Sequence, residues 1–178
     1  MLITILFAST AAASEKKGLV LLSASYFGYS DSRQKEVYSS GNIYPEIKAG
    51  SKVYQDFYVW GRCGFLTANG KTPILEETAK INYLHLSIGG GYKGNFSERL
   101  AYLVELGLLY VNYKETAMGE EVSGSSVGFM LGGGVIFNIG KVFFAEVSLG
   151  YLNAKDEVED ITLKLGGIKA GIGFGIRY

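Results

Sequence analysis

Along most of this chain, apolar side chains recur at every second position. The pattern is plainest in residues 166–178, where Ile168, Ala170, Ile172, Phe174, Ile176 and Tyr178 alternate with Gly167, Lys169, Gly171, Gly173, Gly175 and Arg177. A period of two is the pleat of a β-strand with one apolar face and one small or charged face. The same reading gives seven earlier strands. The first, over about 19–29, sets Val20, Leu22, Ala24 and Tyr26 against Ser23 and Ser25; the second, over 43–53, sets Ile47, Ala49 and Val53 against Glu46, Lys48 and Lys52. The third, 57–66, opposes Phe57, Val59, Cys63 and Phe65 to Tyr58, Trp60 and Arg62; the fourth, 80–92, opposes Leu84, Leu86, Ile88 and Tyr92 to Tyr83, His85 and Ser87. In the fifth, 100–113, the apolar row is Tyr102, Val104, Leu106, Leu108 and Tyr110, with Glu105 on the other. The sixth carries Val127, Phe129, Leu131, Val135 and Phe137, and the seventh Phe143, Ala145, Val147, Leu149 and Tyr151 opposite Phe144, Glu146 and Ser148. Between them, 31–42, 67–78, 114–125 and 153–160 read as long polar loops, and 54–56, 93–99 and 138–141 as short turns.

The charges follow the pleat. Glu46, Lys48, Arg62, Glu105, Glu146 and Lys169, with His85, all fall on the row opposite the apolar one. A Lys or Arg facing lipid at the bilayer midplane costs about 2–4 kcal/mol, so a barrel in a membrane must segregate its charges this way. A soluble sandwich passes the same test with burial reversed. The ends of the rows separate the two. Tyr26, Phe65, Tyr110, Phe129 and Tyr151 close the apolar rows at one level, and Phe57, Tyr92, Tyr102, Phe137, Phe143 and Tyr178 close them at the other. Two aromatic girdles belong to a bilayer with two interfaces. The predicted fold is all-β, an eight-stranded antiparallel up-and-down transmembrane β-barrel over residues 14–178, with short turns and the N-terminus periplasmic.

Composition agrees with a curved, belted sheet: 25 Gly and 13 Tyr against two Pro. Of the prolines, Pro45 falls near the start of the second strand, where irregular pairing at a rim tolerates its missing donor. Seventeen basic and seventeen acidic residues leave no bulk charge to recruit nucleic acid. Cys63 is the lone cysteine, so no disulfide or zinc framework exists, and its place on the apolar row makes it a small apolar side chain. Residues 1–13 hold a short apolar core and an Ala11-x-Ala13 cleavage pattern, read as a secretory signal peptide although no Lys or Arg precedes the core.

By its strand pattern, alternating connections and the ending GIGFGIRY, the chain resembles the small eight-stranded outer-membrane β-barrel proteins of the OmpA-, OmpX- and Opa-like type. The resemblance covers essentially everything after the signal. It implies insertion into a Gram-negative outer membrane as a monomer, contact with outer-membrane lipid and lipopolysaccharide, and delivery to the barrel-assembly machinery through the C-terminal signal Phe174, Ile176 and Tyr178. It does not fix an activity, since such proteins include structural barrels, adhesins and a few lipid A enzymes.

Candidate chemistry is sparse. Eight strands leave a lumen just wide enough for side chains to fill, so Glu46, Lys48, Arg62, Glu105, Glu146 and Lys169 are predicted to pair as a plug, with glycines such as Gly89, Gly107, Gly132, Gly134 and Gly171 making room. His85 and Ser87 share a face and resemble the His-x-Ser pair of outer-membrane lipid A deacylases, but both point to the lumen, and a hydrogen-bonded interior histidine is the ordinary reading. Gly89-Gly90-Gly91-Tyr92-Lys93-Gly94 matches G-x-G-x-x-G with Glu115 downstream, yet the residues after it read as strand rather than the helix a dinucleotide site needs. Glu120, Glu121, Asp156, Glu157, Glu159 and Asp160 make two outer loops acidic, which reads as solvated loop, with divalent-ion or lipopolysaccharide-linked cation binding as the alternative. The expected role is non-enzymatic and cofactor-free, structural or adhesin-like, with a surface ligand bound by the four long loops. A lipid A-modifying enzyme or a small channel is the alternative.

Overall fold

Residues 18–38, 41–72, 77–158 and 161–178 are described by a computed structural model, in which the period-two segments pair side by side until the last meets the first. The elements in chain order are β1 (Gly18–Tyr29), α1 (Ser32–Tyr38), β2 (Asn42–Tyr54), β3 (Phe57–Lys71), β4 (Thr78–Asn95), β5 (Leu100–Ala117), β6 (Glu120–Ile139), β7 (Phe143–Val158), β8 (Ile161–Lys164) and β9 (Gly167–Arg177). Neighbours from β1 to β7 pair antiparallel, and β9 pairs with β7 on one side and β1 on the other. β8 folds back on the far end of β7 as a short hairpin. Closure runs from Leu19↔Arg177 to Tyr29↔Gly167 and finishes with Gly18 and Tyr178 exchanging both backbone hydrogen bonds, at 2.9 and 3.0 Å. A closed ring leaves no strand edge unpaired, which is what a sheet surrounded by hydrocarbon requires.

The parity follows the alternation along each strand. Leu22, Ile47, Val59, Ile88, Leu106, Val127, Leu149 and Ile172 are exposed on the outer wall, while Leu21, Trp60, Tyr83 and Phe144 are buried inside. Girdle rings touch their neighbours within each level: Phe57 with Tyr92 and Tyr92 with Tyr102 at one, Phe129 with Tyr151 at the other. On β3, β5, β6 and β7 the two girdle residues (57 and 65, 102 and 110, 129 and 137, 143 and 151) stand eight residues apart. That is about 26 Å along a strand, or about 20 Å across a bilayer at the usual barrel tilt of about 40°.

The connections depart from the sequence reading. Segment 31–42 holds a helix: Asp31 Oδ1 accepts the Arg33 backbone N–H at 2.9 Å, an N-cap bond, and Asp31 O accepts the first helical bond from Lys35 N. Segment 114–125 is no loop at all. β5 and β6 pair without a break to Ala117↔Glu120, around a two-residue turn in which Met118 and Gly119 both have positive φ, 55° and 79°, as the twist of a hairpin favours. Likewise β3 and β4 run on to Lys71↔Thr78, and 153–158 continues β7, pairing with β6 as far as Ala154 and with β8 from Lys155 to Val158. About ten residues suffice to cross a bilayer, whereas β4 and β5 have 18 and β6 has 20, so this ribbon end stands clear of the upper girdle. The polar residues read as loop are strand because their backbone groups are paired, and water does not end a paired strand. The opposite, turn end is tight throughout. Pro45 pairs with Ala24, and the ladder to β3 starts one residue later at Glu46↔Gly64, so the proline removes no rung on that side. The signal-peptide reading of 1–13 lies outside the described residues.

Candidate functional site

Five strands deliver charged side chains to the middle of the lumen through the inward half of the pleat. Glu46 and Lys48 come from β2, Arg62 from β3, Glu105 from β5, Glu146 from β7 and Lys169 from β9, and all six are buried. They form one alternating chain. Lys169 Nζ bonds Glu46 Oε2; Arg62 spans Glu46 Oε1 at 3.2 Å and Glu105 Oε2 at 2.6 Å; Lys48 Nζ spans Glu105 Oε1 at 3.1 Å and Glu146 Oε2 at 2.9 Å. Three cations face three carboxylates, so the lumen carries no net charge at its centre. Neutral donors complete the carboxylates: Tyr58 OH donates to Glu105 at 2.7 Å and Ser23 OH to Glu46 at 3.2 Å. Trp60 lies under the Arg62 guanidinium and Tyr44 under the Lys169 ammonium, each 5.2 Å from the ring centre.

Apolar layers flank this belt on both sides. Toward the turn end lie Leu21, Leu103, Ile136 and Phe144, with Leu19 packed against them. Toward the ribbon end an aromatic layer gathers Phe27, Tyr29, Tyr44, Tyr83 and Tyr113 with Leu66, Ile81, Leu109 and Val111. Above it α1 closes the mouth: Gln34 donates to Tyr83 OH at 2.6 Å, and the buried Tyr38 donates to Glu115 at 2.5 Å. The sequence shows these aromatics on the inward rows, but their gathering into one layer depends on contacts between strands that no single strand's pattern carries. Tyr38 gives no periodic signal. Glycines make space where rings are largest: a Cβ on Gly64 would sit 2.0 Å from Tyr44 Oη, and one on Gly107 2.6 Å from Trp60 Cη2 and 2.6 Å from Ile88 O. Gly132 does not serve the plug in this way, since its nearest approach would be an ordinary 3.4 Å.

His85 stands apart from the ion chain. Its ring is buried among Phe27, Tyr44 and Tyr83, Nδ1 lies 3.2 Å from Tyr44 OH, and among the described residues Nε2 has no hydrogen-bond partner. Ser87 Oγ meets Met130 Sδ at 3.9 Å rather than His85. No dinucleotide site forms at 89–94, because β4 and β5 continue through it and its far partner Glu115 sits on β5 beside Tyr38. The acidic residues disperse: Glu121 pairs with Lys114, Asp156 accepts from Tyr113, Glu159 and Asp160 fall outside the described residues, and among those described no cluster of three metal ligands occurs. Cys63 is half-buried on the outer wall. The C-terminal residues Phe174, Ile176 and Tyr178 face outward, with Phe174 stacked on Phe143.

A closed eight-stranded barrel with an apolar wall between two aromatic belts and a packed, charged interior is the build of a small bacterial outer-membrane barrel. The chain belongs to the outer membrane protein beta-barrel domain family, whose model matches residues 1–175, and its place is the bacterial outer membrane, in a lipid and lipopolysaccharide environment. Among solved structures it is similar to OprG of Pseudomonas aeruginosa (TM-score 0.74, 10% identity, 92% of this chain and 97% of that one). Neisserial surface protein A is similar at TM-score 0.67 and 13% identity, over 90% of this chain and 97% of that one. Ail, the attachment invasion locus protein of Yersinia pestis, is similar at TM-score 0.56 and 16% identity, over 93% and 100%. No curated protein matches by sequence.

Proposed function

We propose that this protein is a non-enzymatic barrel with a structural and surface-interaction role, anchored by the belt and presenting its ribbon end outside the cell. The observation that carries this reading is the filled lumen. A cavity of about 140 Å³ enters from the turn end and stops at Lys48 and Glu146, and beyond them lie the ion chain, the aromatic layer and α1. With the lumen filled from Lys48 and Glu146 to α1 by the described residues, the contact surface left to the protein is the ribbon end. The turn end, which holds the last residue, faces the periplasm, as short connections do in bacterial barrels. In this reading residues 1–13 are a signal peptide, Phe174, Ile176 and Tyr178 address the barrel-assembly machinery, and the barrel works as a monomer. Contact is made by α1 and the rigid β5–β6 and β7–β8 ribbons rather than by four loose loops. A barrel of the same fold, Ail, has been solved in complex with the heparin analogue sucrose octasulfate, which supports surface contact as a use of this architecture.

The test is adhesion of a laboratory Gram-negative strain displaying the protein, measured on immobilised heparin and on epithelial monolayers. A variant with residues 115–122 replaced by a short Asn-Gly turn is expected to keep the heat-dependent gel shift of a closed barrel and lose adhesion. Equal adhesion by wild type, variant and empty cells refutes the interaction role. A hydrolase built on His85 and Ser87 has neither a bond between them nor access to lipid, so lipid A acyl patterns are expected to be unchanged by His85→Ala or Ser87→Ala. Planar bilayers are expected to show no conductance that substitution of Arg62 or Glu105 alters.

A further inference from the structure

On the outer wall just beyond the level of Tyr151, β7 and β8 set two lysines directly opposite one another. Lys155 and Lys164 are register partners, and both are exposed. Like charges facing each other across an antiparallel pair repel, so the sheet gains nothing from this arrangement by itself. Among the described residues no carboxylate stands within ion-pair distance of either ammonium. The nearby Asp31 is engaged by Arg33 and by the backbone N–H of Lys164. The two lysines line a hollow with Tyr151, Asn153 and Gly166.

An apolar trough continues from this hollow toward the bilayer centre, with Tyr151 shared between them. It exists because Gly133, on the outward row of β6, is flanked by its register partners Val104 on β5 and Leu149 on β7, which stand up on either side of a missing side chain. Leu131 and Ile168 complete the walls. A cationic ledge at an aromatic belt, joined to an apolar trough that descends into the membrane, has the polarity of one amphiphile: an anionic head above and an acyl chain below.

We propose that Lys155, Lys164 and the Gly133 trough form a binding site for a phosphorylated lipid of the outer leaflet, with the phosphate bridging the two ammonium groups and one acyl chain lying in the trough. Cross-strand partners hold their Cβ atoms about 5 Å apart, so one phosphate reaches both lysines. The lipid is assigned to the outer leaflet because the ribbon end is read as facing outward, and on that point alone the inference rests on the proposed function.

The experiment uses the refolded full-length barrel in phosphatidylcholine nanodiscs containing a minority of either bis-phosphorylated or dephosphorylated lipid A, transferred to mild detergent for native mass spectrometry. Wild type is expected to retain one phosphorylated lipid A and to discard the dephosphorylated form. The Lys155→Gln/Lys164→Gln variant is expected to weaken retention roughly 30-fold, from about 1 kcal/mol per lysine near a membrane surface. Lys71→Gln/Lys80→Gln, which removes the same charge elsewhere on the rim, is expected to leave retention unchanged, and Gly133→Leu, which fills the trough, to lower it. Equal retention by wild type and the Lys155/Lys164 variant, or of both lipids by wild type, overturns the site. Maleimide labelling of Thr162→Cys on intact cells, in a Cys63→Ser background, reads the orientation separately: absence of labelling overturns the outer-leaflet assignment whatever lipid is retained.

Discussion

Arg62 is the middle link of the lumen chain, and cutting it is expected to be costly in a way that a second cut repairs. In Arg62→Met the stem still packs on Trp60, but Glu46 loses its bond at 3.2 Å and Glu105 its bond at 2.6 Å. Three carboxylates then face two lysines between two apolar layers. Removing one partner of a buried pair costs about 3–5 kcal/mol, because the remaining charge is neither solvated nor matched. Glu105→Gln leaves the opposite excess and is expected to cost a similar amount. The double variant restores balance with two complete pairs, Lys169 with Glu46 and Lys48 with Glu146. Its cost is expected to fall short of the sum of the singles by about 2 kcal/mol or more, within the range of coupled contacts. The assay is urea unfolding of the refolded barrel in phosphatidylcholine vesicles, followed by the fluorescence of Trp60, the sole tryptophan of the chain, with the heat-dependent gel shift as a check on closure. Strictly additive costs, or single costs below about 1 kcal/mol, would refute a desolvated, mutually dependent chain and mean that water reaches the lumen centre.

Other expectations test the packing, the ribbon and the mouth. Gly107→Ala places a methyl group against Trp60 and Ile88 O, and is expected to destabilise by about 1–3 kcal/mol in the same unfolding assay. Gly132→Ala, with only ordinary contacts, is expected to be much milder; equal effects would contradict the packing account. In the β5–β6 turn, Gly119→Ala puts a Cβ on a residue at φ 79° and is expected to cost about 1–2 kcal/mol locally, read as faster amide exchange over 112–125 with the barrel unchanged. Burial raises the Asp31 carboxyl, but the bonds from the Arg33 side chain and backbone and from Lys164 N–H outweigh it and hold the group below its ordinary value. Asp31 therefore anchors α1 fully above the unfolded carboxylate value of about 3.9, and the anchoring is lost as pH falls below that through the depressed folded value. Chemical shifts of residues 32–38 in micelles are expected to move over that acid range in wild type and not in Asp31→Asn; identical titrations would remove the cap from the account.

The barrel was legible in the sequence because lipid acts as a solvent on each outward residue separately. Each spanning strand declares its own apolar row, β3, β5, β6 and β7 carry both rings, and β2, β3, β5, β7 and β9 carry the inward charges, so Ile172 needs no knowledge of Val147 to face the bilayer. The family likeness of the ending GIGFGIRY pointed the same way. Strand ends were not legible, because the fall in hydrophobicity at Thr67, Lys114 and Asn153 marks where lipid gives way to water, while the backbone ladder continues wherever a neighbouring strand supplies partners. Helix α1 was hidden for a related reason: seven residues carry no usable periodicity, and its place is set by the Asp31 cap and by Tyr38 entering a mouth that other strands build.

That charges would occupy the lumen followed from the pleat alone; which charges meet did not. The partners of the ion chain lie from 16 to 123 residues apart, on strands whose register and tilt bring Lys169 to Glu46 and Lys48 to both Glu105 and Glu146. Likewise, the sequence shows Lys155 in a polar loop and Lys164 nine residues further on, beyond that loop, and only the β7–β8 register makes them face one another beside the Gly133 trough. A residue's side of the wall is a local property that bilayer and pleat impose on each strand. Its partner within the wall is a property of closure, decided when β9 pairs with β1.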